Sequence, residues 1–371
     1  MSFSERVSHR LLELKNIERY RSLNVPKGID FCSNDYLGLS DHLELKNALK
    51  EGIDLYGGGS TASRLIRGHR DVFNSLEEKF SKWVNSPSSL FLANGFLANL
   101  GLINCIADKK TKIFSDRLNH ASILDGIQLS GAEVRYYRHL DLNHLEDLLK
   151  KNNSNNEKLV ITESIFSMDG DIANLQELVF LRKKFQFVLI VDEAHALGIF
   201  GAQGSGLANS YENYISDDID FRIFTAGKSM GLEGSFISCK KEFREYLINH
   251  LRTFIFSTAP IPAIAHALLT SISLIKEMNL ERGNIIKNSQ FLRNELNKNG
   301  YSTKNSNSHI IPVLLPDDSS TMKLASVLQK KGFDIRGVRP PTVKEPRLRI
   351  IINSKISLND ILQLMQALKI Y

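Results

Sequence analysis

The chain has 371 residues and a formal net charge of +6, and 42% of its residues are hydrophobic and 24% charged. This is the composition of an ordinary globular protein, long enough for a large core and more than one domain. The basic residues are spread along the chain and form no blocks, so the sequence does not indicate a nucleic-acid-binding protein.

The N-terminal residues are polar, and no segment approaches the roughly 18 consecutive apolar residues that a membrane-spanning helix needs. The sequence therefore predicts a cytoplasmic protein without a membrane segment. Its three cysteines, Cys32, Cys105 and Cys239, are far apart and have apolar neighbours. This pattern predicts buried free thiols and no disulfide or metal site.

The first part of the chain is predicted to contain helices joined by irregular segments. Apolar residues at helical spacing predict a helix within residues 4–23 and a short one over residues 44–50. The segment Tyr56–Gly68 is rich in glycine, serine and threonine, which predicts a loop. A further helix is predicted from Val72 to Trp83.

Residues 112–239 alternate between strand and helix patterns. The predicted strands are Lys112–Ser115, Glu133–Arg138, Leu159–Ser164, Phe187–Asp192, Phe221–Thr225 and Ser235–Cys239, with helices at Ala121–Ser130, Leu142–Lys150 and Leu175–Phe185. This alternation indicates βαβ units and a mostly parallel, buried sheet. Ligands of such sheets bind at the carboxyl ends of the strands. Asp116, Glu163, Asp192 and Thr225 are predicted to lie there.

The C-terminal part is predicted to form a smaller α/β domain, entered through a long helix after Pro262. Its predicted elements are strands at Ile310–Leu315, Phe333–Ile335 and Leu348–Ile352, with a helix from Met322 to Lys331. Two polar stretches, Lys151–Glu157 and Ser302–Ser308, are predicted to be surface loops. The chain is thus predicted to consist of an N-terminal helical segment (1–40), a large domain (41–269) and a small domain (270–371).

One pair of segments points to a cofactor. The apolar run Phe187–Val191 ends in Asp192-Glu193-Ala194-His195, and Lys228 follows in a turn of mostly small residues. This arrangement suits a pyridoxal phosphate pocket, in which the lysine forms a Schiff base and the aspartate keeps the pyridine nitrogen protonated. The alternatives are that Lys228 is an ordinary loop lysine and that Asp192 is a helix cap or surface acid.

The same letters also resemble the magnesium box and the phosphate-binding loop of helicases. In a phosphate-binding loop, a glycine and then four other residues precede the Gly-Lys-Ser run. Arg222 occupies the position of that glycine here. The Gly227-Lys228-Ser229 run also follows the acidic box, whereas the phosphate loop of helicases precedes it. Spacing and order therefore argue against an ATPase.

Seven segments together resemble the α-oxoamine synthases, a family of pyridoxal phosphate enzymes. They are Ser33–Gly38, Ser60–Leu65, Asp116–Ser122, Phe166–Asp171, Asp192–His195, the Lys228 turn and Phe256–Ala259. The resemblance covers nearly the whole chain. It implies an α/β protein of the PLP-dependent transferase fold type I, in which a large domain with a mostly parallel sheet is followed by a smaller C-terminal α/β domain. Ala196 and Ala226 depart from the family pattern, and both changes are small and local.

The resemblance implies catalytic roles for three residues. Lys228 would bind the cofactor and then act as the base that removes the α-proton of the amino acid. Asp192 would pair with the pyridinium nitrogen. His120 would lie over the ring and contact substrate, and its alternative is an exposed histidine at a helix start. Glu193 is predicted by strand alternation to point away from the site and to be structural.

Further cofactor contacts are implied by the same resemblance. His195 would bond the phenolic oxygen, with a satisfied core histidine as the alternative. Gly95 and Phe96 would offer N–H groups to the phosphate at a helix start. Ser167 and Thr225 would contribute hydroxyl groups.

The segment Arg339–Val343, followed by Arg347-Leu348-Arg349, resembles members that condense L-alanine with a pimeloyl thioester in biotin synthesis. Arg349 would hold the amino-acid carboxylate, since arginine binds carboxylates in bidentate geometry. Arg21 and Thr342 would contact the acyl substrate, carried by coenzyme A or an acyl carrier protein. Arg19 is the alternative to Arg21.

Thr258 would reach the phosphate of the partner subunit, which implies a homodimer with shared active sites. Two other functions stay open. One is a sibling enzyme that uses glycine or serine with another acyl-CoA. The other is a DNA-binding regulator of the same fold, which would need an appended helix-turn-helix module, although only the residues before Ser33 precede the first family motif.

Overall fold

The structure is a computed structural model that describes residues 1–152, 156–211 and 215–369. These residues form two compact units. The central unit contains residues 34–167 and 172–283, and the terminal unit contains residues 1–33, 168–171 and those from 284 onward. The predicted domain bounds of 1–40, 41–269 and 270–371 stay a prediction.

The described residues contain thirteen α-helices and twelve strands. The helices are α1 (Phe3–Asn16), α2 (Leu43–Tyr56), α3 (Asp71–Trp83), α4 (Gly95–Ile106), α5 (Ala121–Ser130), α6 (Leu142–Lys151), α7 (Leu175–Phe185), α8 (Lys241–His250), α9 (Arg252–Ile255), α10 (Pro262–Glu277), α11 (Asn279–Lys298), α12 (Asp318–Lys330) and α13 (Leu358–Lys369). The strands are β1 (Ile29–Asp30), β2 (Ser88–Leu92), β3 (Lys112–Asp116), β4 (Glu133–Tyr137), β5 (Lys158–Glu163), β6 (Val188–Asp192), β7 (Phe221–Thr225), β8 (Ser235–Cys239), β9 (Ile310–Leu314), β10 (Phe333–Asp334), β11 (Arg336–Val338) and β12 (Arg347–Ile351). None of these helices is long and apolar enough to cross a membrane.

The central unit is built on a seven-stranded sheet in the order β2-β8-β7-β6-β5-β3-β4. Strands β3 to β7 run parallel, and β8 runs antiparallel to both of its neighbours, β7 and β2. Six of the strands are almost wholly buried, because helices cover the sheet, whereas the edge strand β4 is mostly exposed. The predicted α/β class with a mostly parallel sheet is confirmed.

The antiparallel direction of β8 explains the turn that carries Lys228. Two antiparallel neighbours can be joined by a short connection, whereas a parallel pair needs a long crossover. The connection closes on itself, since the Ala226 N–H donates to the Gly234 carbonyl at 2.8 Å and the Leu232 N–H donates to the Ala226 carbonyl at 3.1 Å. Gly231 has a φ of +71° there, and a side chain on it would meet the Ser40 nitrogen at 2.6 Å. The lysine therefore sits on a tightly held turn.

The terminal unit has two smaller sheets. Strand β12 lies between β11 and β9 in an antiparallel sheet, and the short strands β1 and β10 pair in parallel. Strand β12 is buried along its whole length. The predicted small α/β fold in the C-terminal part is therefore present, with β1 contributed by the N-terminal part of the chain.

Two predicted loops differ from the structure. Within Tyr56–Gly68, residue Tyr56 ends α2, and Arg64–Gly68 forms one π-type helical turn. A side chain on Gly68 would meet the Ala62 carbonyl oxygen at 2.1 Å, so this turn depends on glycine's small size. Within Ser302–Ser308, the predicted loop is present and Ser302, Lys304, Asn305 and Asn307 are exposed, but Thr303, Ser306 and Ser308 are buried. Its polar side chains bond inside the terminal unit.

Two further predictions need correction or lie outside the description. Helix α2 extends well beyond the short helix predicted over residues 44–50. Cys239 is buried, but Cys32 and Cys105 are only partly buried, and all three thiols are free. Of the predicted loop Lys151–Glu157, residues 153–155 lie outside the described residues.

A buried ion network ties α3 to its neighbours in the central unit. The Glu77 carboxylate pairs with Arg64 and, at 2.6 Å, with Arg244, and it accepts a bond from the Phe91 N–H at 2.8 Å. The Glu77 and Arg64 side chains are each only 5% exposed. Breaking a buried pair leaves an uncompensated charge in a low-dielectric interior, which costs far more than the pair contributes.

We therefore expect Glu77→Gln to lower the free energy of unfolding by about 3 kcal/mol, because it leaves Arg64 buried without its carboxylate. Urea denaturation followed by far-ultraviolet circular dichroism measures this. The matched control is Glu78→Gln, at the next residue, which removes an exposed ion pair with Lys82. It should leave the midpoint of urea denaturation unchanged. Equal midpoints for the two variants would contradict the role of the network.

Candidate active site

Four strands of the central unit bring polar side chains to one edge of the sheet. Strand β3 ends at Asp116, β5 at Glu163, β6 at Asp192 and β7 at Thr225. Because these strands are parallel, their carboxyl ends lie at the same edge, as the sequence predicts. Glu163 and Asp192 are direct neighbours in the register of β5 and β6. Two carboxyl groups therefore lie side by side in a buried setting.

Lys228 begins a chain of hydrogen bonds at this edge. Its Nζ lies 2.8 Å from His195 Nε2, and His195 Nδ1 lies 2.6 Å from the hydroxyl oxygen of Tyr36. The Tyr36 hydroxyl donates to the Asn34 side-chain oxygen at 3.1 Å. Tyr36 is fully buried and His195 is 5% exposed. The amine of Lys228 is thus held in place by an aromatic pair that water does not reach.

A second chain of hydrogen bonds connects Asp192 to His120. The Asn99 amide donates to Asp192 Oδ2 at 2.7 Å and to the Ser122 hydroxyl at 3.1 Å. The same hydroxyl lies 2.8 Å from His120 Nδ1. The other oxygen of Asp192 accepts the Ala194 N–H at 2.8 Å. Asp192 is therefore oriented from two sides, which is what a carboxylate needs to bind one defined cation.

Burial and charge shift two pKa values at this edge. Burial, reinforced by the negative charge of Asp192, raises the pKa of Glu163 well above its ordinary value, against the opposing effect of Lys228. Glu163 also accepts the backbone N–H of His120 at 2.6 Å. His120 is open to solvent on one side, but the surrounding protein desolvates it and lowers its pKa, against the attraction of Asp192. Both groups therefore favour their neutral forms.

The start of α4 provides an anion site beside Thr225. The Asn94 side chain caps the helix by accepting the Leu97 N–H at 2.9 Å. The N–H groups of Gly95 and Phe96 precede the helix's own hydrogen-bond ladder, and the helix dipole favours a negative group there. A side chain on Gly95 would lie 3.7 Å from both the Cβ and the hydroxyl oxygen of Thr225, so this residue lies beside the helix start. Its hydroxyl donates to the Gly234 carbonyl at 3.3 Å.

These groups fit pyridoxal phosphate in chemistry. An amine, a carboxylate, an imidazole and an anion site match the carbonyl, the pyridine nitrogen, the phenolic oxygen and the phosphate of the cofactor. Ser167 lies half-buried in the loop after β5. Of the implied cofactor residues, the central unit brings Lys228 and His195 into direct contact and links His120 to Asp192 through Asn99 and Ser122.

Glu193 has a structural role, as strand alternation predicts. It is fully buried, and its carboxylate accepts the N–H groups of Leu207 at 2.5 Å and Ala208 at 3.2 Å. A side chain on Gly206 would meet this carboxylate at 3.0 Å. Glu193 therefore holds a neighbouring loop against the end of β6.

Thr258 lies on an exposed segment of the central unit that the chain itself fixes. The Ser60 hydroxyl donates to the Pro260 carbonyl at 2.5 Å, and the Ala259 N–H donates to the Ala62 carbonyl at 3.0 Å. Thr258 itself is exposed, and the nearby Phe256 side chain is 72% exposed. The chain's own hydrogen bonds therefore hold Thr258 at the surface.

The terminal unit joins Arg21 to Thr342. Arg21 Nη2 donates to the Thr342 hydroxyl at 3.1 Å, although 321 positions separate them. Arg19 forms an ion pair with Asp318 at 2.9 Å, so this arginine has its own carboxylate. Arg339 donates to the Tyr20 carbonyl at 3.1 Å.

Tyr20, Arg21, Arg339 and Thr342 line a groove of about 370 Å³ within the terminal unit. Three of the side chains that line it are cationic, those of Arg21, Arg336 and Arg339. Met322 and Val338 are apolar, and Thr342 is polar. Arg336 is paired with Asp334 at 2.9 Å. Within the described ranges, no carboxylate pairs with Arg21 or Arg339, so the groove favours an anion.

Arg349 lies within β12 in the terminal unit. It stands opposite Arg336 of β11 and Pro312 of β9 in the sheet register, and it is 9% exposed. A buried arginine on a rigid central strand keeps its planar donors in one orientation, which suits bidentate binding of a carboxylate.

Three residues of the site were not predicted from the sequence. Tyr36 and Ser122 lie inside quoted motifs, but their bonds join them to residues far along the chain. Asn99 lies outside every motif. Its only local signal is its position one helical turn after Gly95, which places it on the same face of α4.

Three comparisons with known proteins agree with this geometry. The model of the class I and II aminotransferase family matches residues 26–368. A Bacillus cereus protein with the provisional name 8-amino-7-oxononanoate synthase is 38% identical over 367 residues, which cover 95% of this chain and 93% of that protein.

Two solved structures are similar over nearly the full length of both chains. Serine palmitoyltransferase of Sphingomonas wittichii has a TM-score of 0.90 and 29% identity, and the match covers 98% of this chain and 96% of that one. The 8-amino-7-oxononanoate synthase of Francisella tularensis has a TM-score of 0.80 and 30% identity, with 92% and 98% covered.

The raised pKa of Glu163 predicts a pH-dependent effect on stability. A folded protein that keeps this carboxyl protonated loses stability as the pH rises from the ordinary value of 4.5 through the folded value. Glu163→Gln should therefore stabilise the protein at neutral pH, and the gain should vanish near pH 4.5.

Urea denaturation at both pH values measures this, with the exposed Glu177→Gln of α7 as the control. A variant that is less stable than the native protein at neutral pH, or equally stabilised at both pH values, would contradict the assignment of a neutral Glu163.

Proposed function

Since the chain belongs to the class I and II aminotransferase family and, within it, to the α-oxoamine synthases, we propose that it condenses L-alanine with a pimeloyl thioester. The products are 8-amino-7-oxononanoate, carbon dioxide and the free thiol, in the cytoplasmic biotin pathway. The observation that carries the choice of acyl group is the arginine-lined groove at Arg21 and Thr342.

The cofactor is pyridoxal phosphate, whose protonated ring withdraws electrons and so stabilises negative charge on an attached carbon. In this proposal Lys228 holds it covalently, and Asp192 pairs with the ring nitrogen. His195 bonds the phenolic oxygen, and Ser167 adds a hydroxyl contact.

The phosphate is assigned to the start of α4. The N–H groups of Gly95 and Phe96, together with the Thr225 hydroxyl, would bind it. Charge-assisted hydrogen bonds to a phosphate are short and strong, so these contacts would contribute much of the cofactor's affinity.

Proton removal from L-alanine is assigned to Lys228. Its Nζ would take the α-proton and later return one to the product. His120 would contact the substrate from the open side of the site. Because burial favours the neutral form of His120, its ring can accept or donate a hydrogen bond without adding a positive charge.

Arg349 is assigned to the carboxylate of L-alanine. Two parallel N–H donors would hold both oxygens of that carboxylate, which fixes the orientation of the amino acid. Its place within a buried strand supports this role.

The groove distinguishes between acyl donors by charge. A pimeloyl group ends in a free carboxylate after a run of methylene groups, whereas a fatty acyl group ends in a methyl group. Arg21 and Arg339 would attract the carboxylate, and Met322 and Val338 offer apolar contacts to the methylenes. A fatty acyl end would leave the arginines without an anion, which disfavours it.

The alternative is a sibling activity with serine and a fatty acyl thioester, favoured by the similarity to serine palmitoyltransferase. A direct comparison separates the two. Purified enzyme should release carbon dioxide with L-alanine and pimeloyl-CoA much faster than with L-serine and palmitoyl-CoA. The opposite preference would replace our proposal by the sibling activity.

Arg21→Ala should raise the KM for pimeloyl-CoA roughly tenfold to hundredfold while changing the KM for L-alanine little, because a charge-assisted bond contributes about 1.5–3 kcal/mol. The matched control is Arg19→Ala, which removes a nearby arginine already paired with Asp318. An equal change of the KM for pimeloyl-CoA in both variants would show that the groove does not bind the acyl group.

A homodimer with shared active sites is the second part of the proposal. Thr258 would bond the phosphate in the partner subunit, and its exposed position on a segment fixed by the chain's own hydrogen bonds supports this role. A closed two-fold pair lets each subunit give the same segment to the other.

Subunit mixing tests the shared site. Lys228→Ala and Thr258→Ala should each be nearly inactive alone, yet a mixture should regain activity, because a mixed dimer contains one site with both native residues. Refolding the two together and assaying carbon dioxide release measures this. Size-exclusion chromatography that shows a monomer, or exchange without recovered activity, would refute the shared site.

A further inference from the structure

The orientation of the Asn34 side-chain amide assigns a direction to the hydrogen-bond chain from Lys228. A tyrosine hydroxyl has one proton, and in this orientation Tyr36 donates it to the Asn34 side-chain oxygen at 3.1 Å. With this assignment, the Tyr36 oxygen acts as the acceptor at the 2.6 Å contact with His195 Nδ1. His195 Nδ1 therefore carries the proton of the neutral ring.

The opposite ring nitrogen is then free of a proton. In a neutral imidazole one nitrogen donates and the other accepts. His195 Nε2 therefore presents a lone pair to Lys228 Nζ, 2.8 Å away. Within the central unit, a lysine and a base that can accept its proton are already at hydrogen-bonding distance.

We propose that Tyr36 is a positioning residue that holds His195 in the tautomer whose Nε2 takes a proton from the Lys228 ammonium group. The transfer leaves a neutral amine on Lys228 and a positive charge on the His195 ring, so the total charge is unchanged. Only the neutral amine has the lone pair needed to bond to the carbonyl carbon of the cofactor.

The surroundings of the pair support this transfer. Tyr36 is fully buried and His195 is 5% exposed, so water does not compete for either ring nitrogen. After the transfer, the Nδ1–H still donates to the Tyr36 oxygen, which stabilises the charged ring.

The inference rests on the cofactor assignment made above, and the experiment keeps the two apart. Apo-enzyme is mixed with pyridoxal phosphate, and covalent attachment to Lys228, with loss of water, is followed by visible absorption and confirmed by borohydride trapping and peptide mapping. If the native enzyme does not attach the cofactor at Lys228, the proposed function fails. The role of Tyr36 is judged on the attachment rate.

Tyr36→Phe should attach the cofactor roughly tenfold more slowly, because the ring keeps its packing but loses the oxygen that fixes the tautomer. The matched control is Tyr301→Phe in the terminal unit, which removes a hydroxyl bonded to the Leu368 carbonyl and should leave the rate unchanged. Thermal unfolding verifies that both variants are folded. An unchanged rate in Tyr36→Phe would overturn the proposal.

Nitrogen NMR of histidine-labelled apo-enzyme gives a readout that a purely structural role of Tyr36 would not affect. The His195 signals are assigned by their loss in His195→Gln. The native protein should show a protonated Nδ1 and a bare Nε2, and Tyr36→Phe should shift the population toward the other tautomer. A native ring protonated at Nε2 would refute the mechanism whatever the variant does.

Discussion

Two buried carboxyl groups at the ends of neighbouring strands are the constraint on which the site depends. Glu163 and Asp192 lie side by side in the register of β5 and β6. Two negative charges in a low-dielectric interior repel each other strongly, so both cannot be ionised without compensation. The structure resolves this by raising the pKa of Glu163 and by orienting Asp192 with the Asn99 amide and the Ala194 N–H. Glu163 therefore favours its neutral form, and Asp192 is the carboxyl group that we propose to pair with the ring nitrogen of the cofactor.

This division of roles explains why the carboxylate end of the site suits a protonated pyridine ring. A single oriented carboxylate stabilises a positive charge on one ring nitrogen, and the same interaction increases the electron withdrawal on which the chemistry relies. The neutral Glu163 meanwhile accepts the backbone N–H of His120, so it fixes the residue proposed to contact substrate. Structural and chemical needs are thus met by the same pair of strands.

The site gathers residues from distant parts of the chain. Tyr36 lies outside the sheet, Gly95 begins α4, and Lys228 lies in the connection between β7 and β8. The common edge of a parallel sheet makes this gathering possible, since every strand ends there regardless of its place in the sequence. The terminal unit also brings distant residues together, since Arg21 donates a hydrogen bond to Thr342.

Much of the fold could be predicted from local patterns. Helices α5 and α7 and strands β7 and β8 have the predicted bounds. Their apolar periodicity reflects burial on the sheet, which is strong and local. Predictions from local composition were less accurate where contacts between distant residues determine the structure. Arg64–Gly68 forms a helical turn although its composition suits a loop, and Ser306 and Ser308 are buried because they find hydrogen-bond partners inside the terminal unit.

The sequence by itself determined the type of chemistry. An acid at the end of an apolar strand and a lysine in a turn of small residues indicate a pyridoxal phosphate site through their identity and order alone. Only the tertiary structure decided which groups act together. Three contacts between residues far apart in the chain show this: His195 is held between Tyr36 and Lys228, Asn99 bonds Asp192, and Arg19, not Arg21, pairs with Asp318. Hydrogen bonds and ion pairs depend on distances of a few ångströms, and local sequence patterns carry no information about such distances.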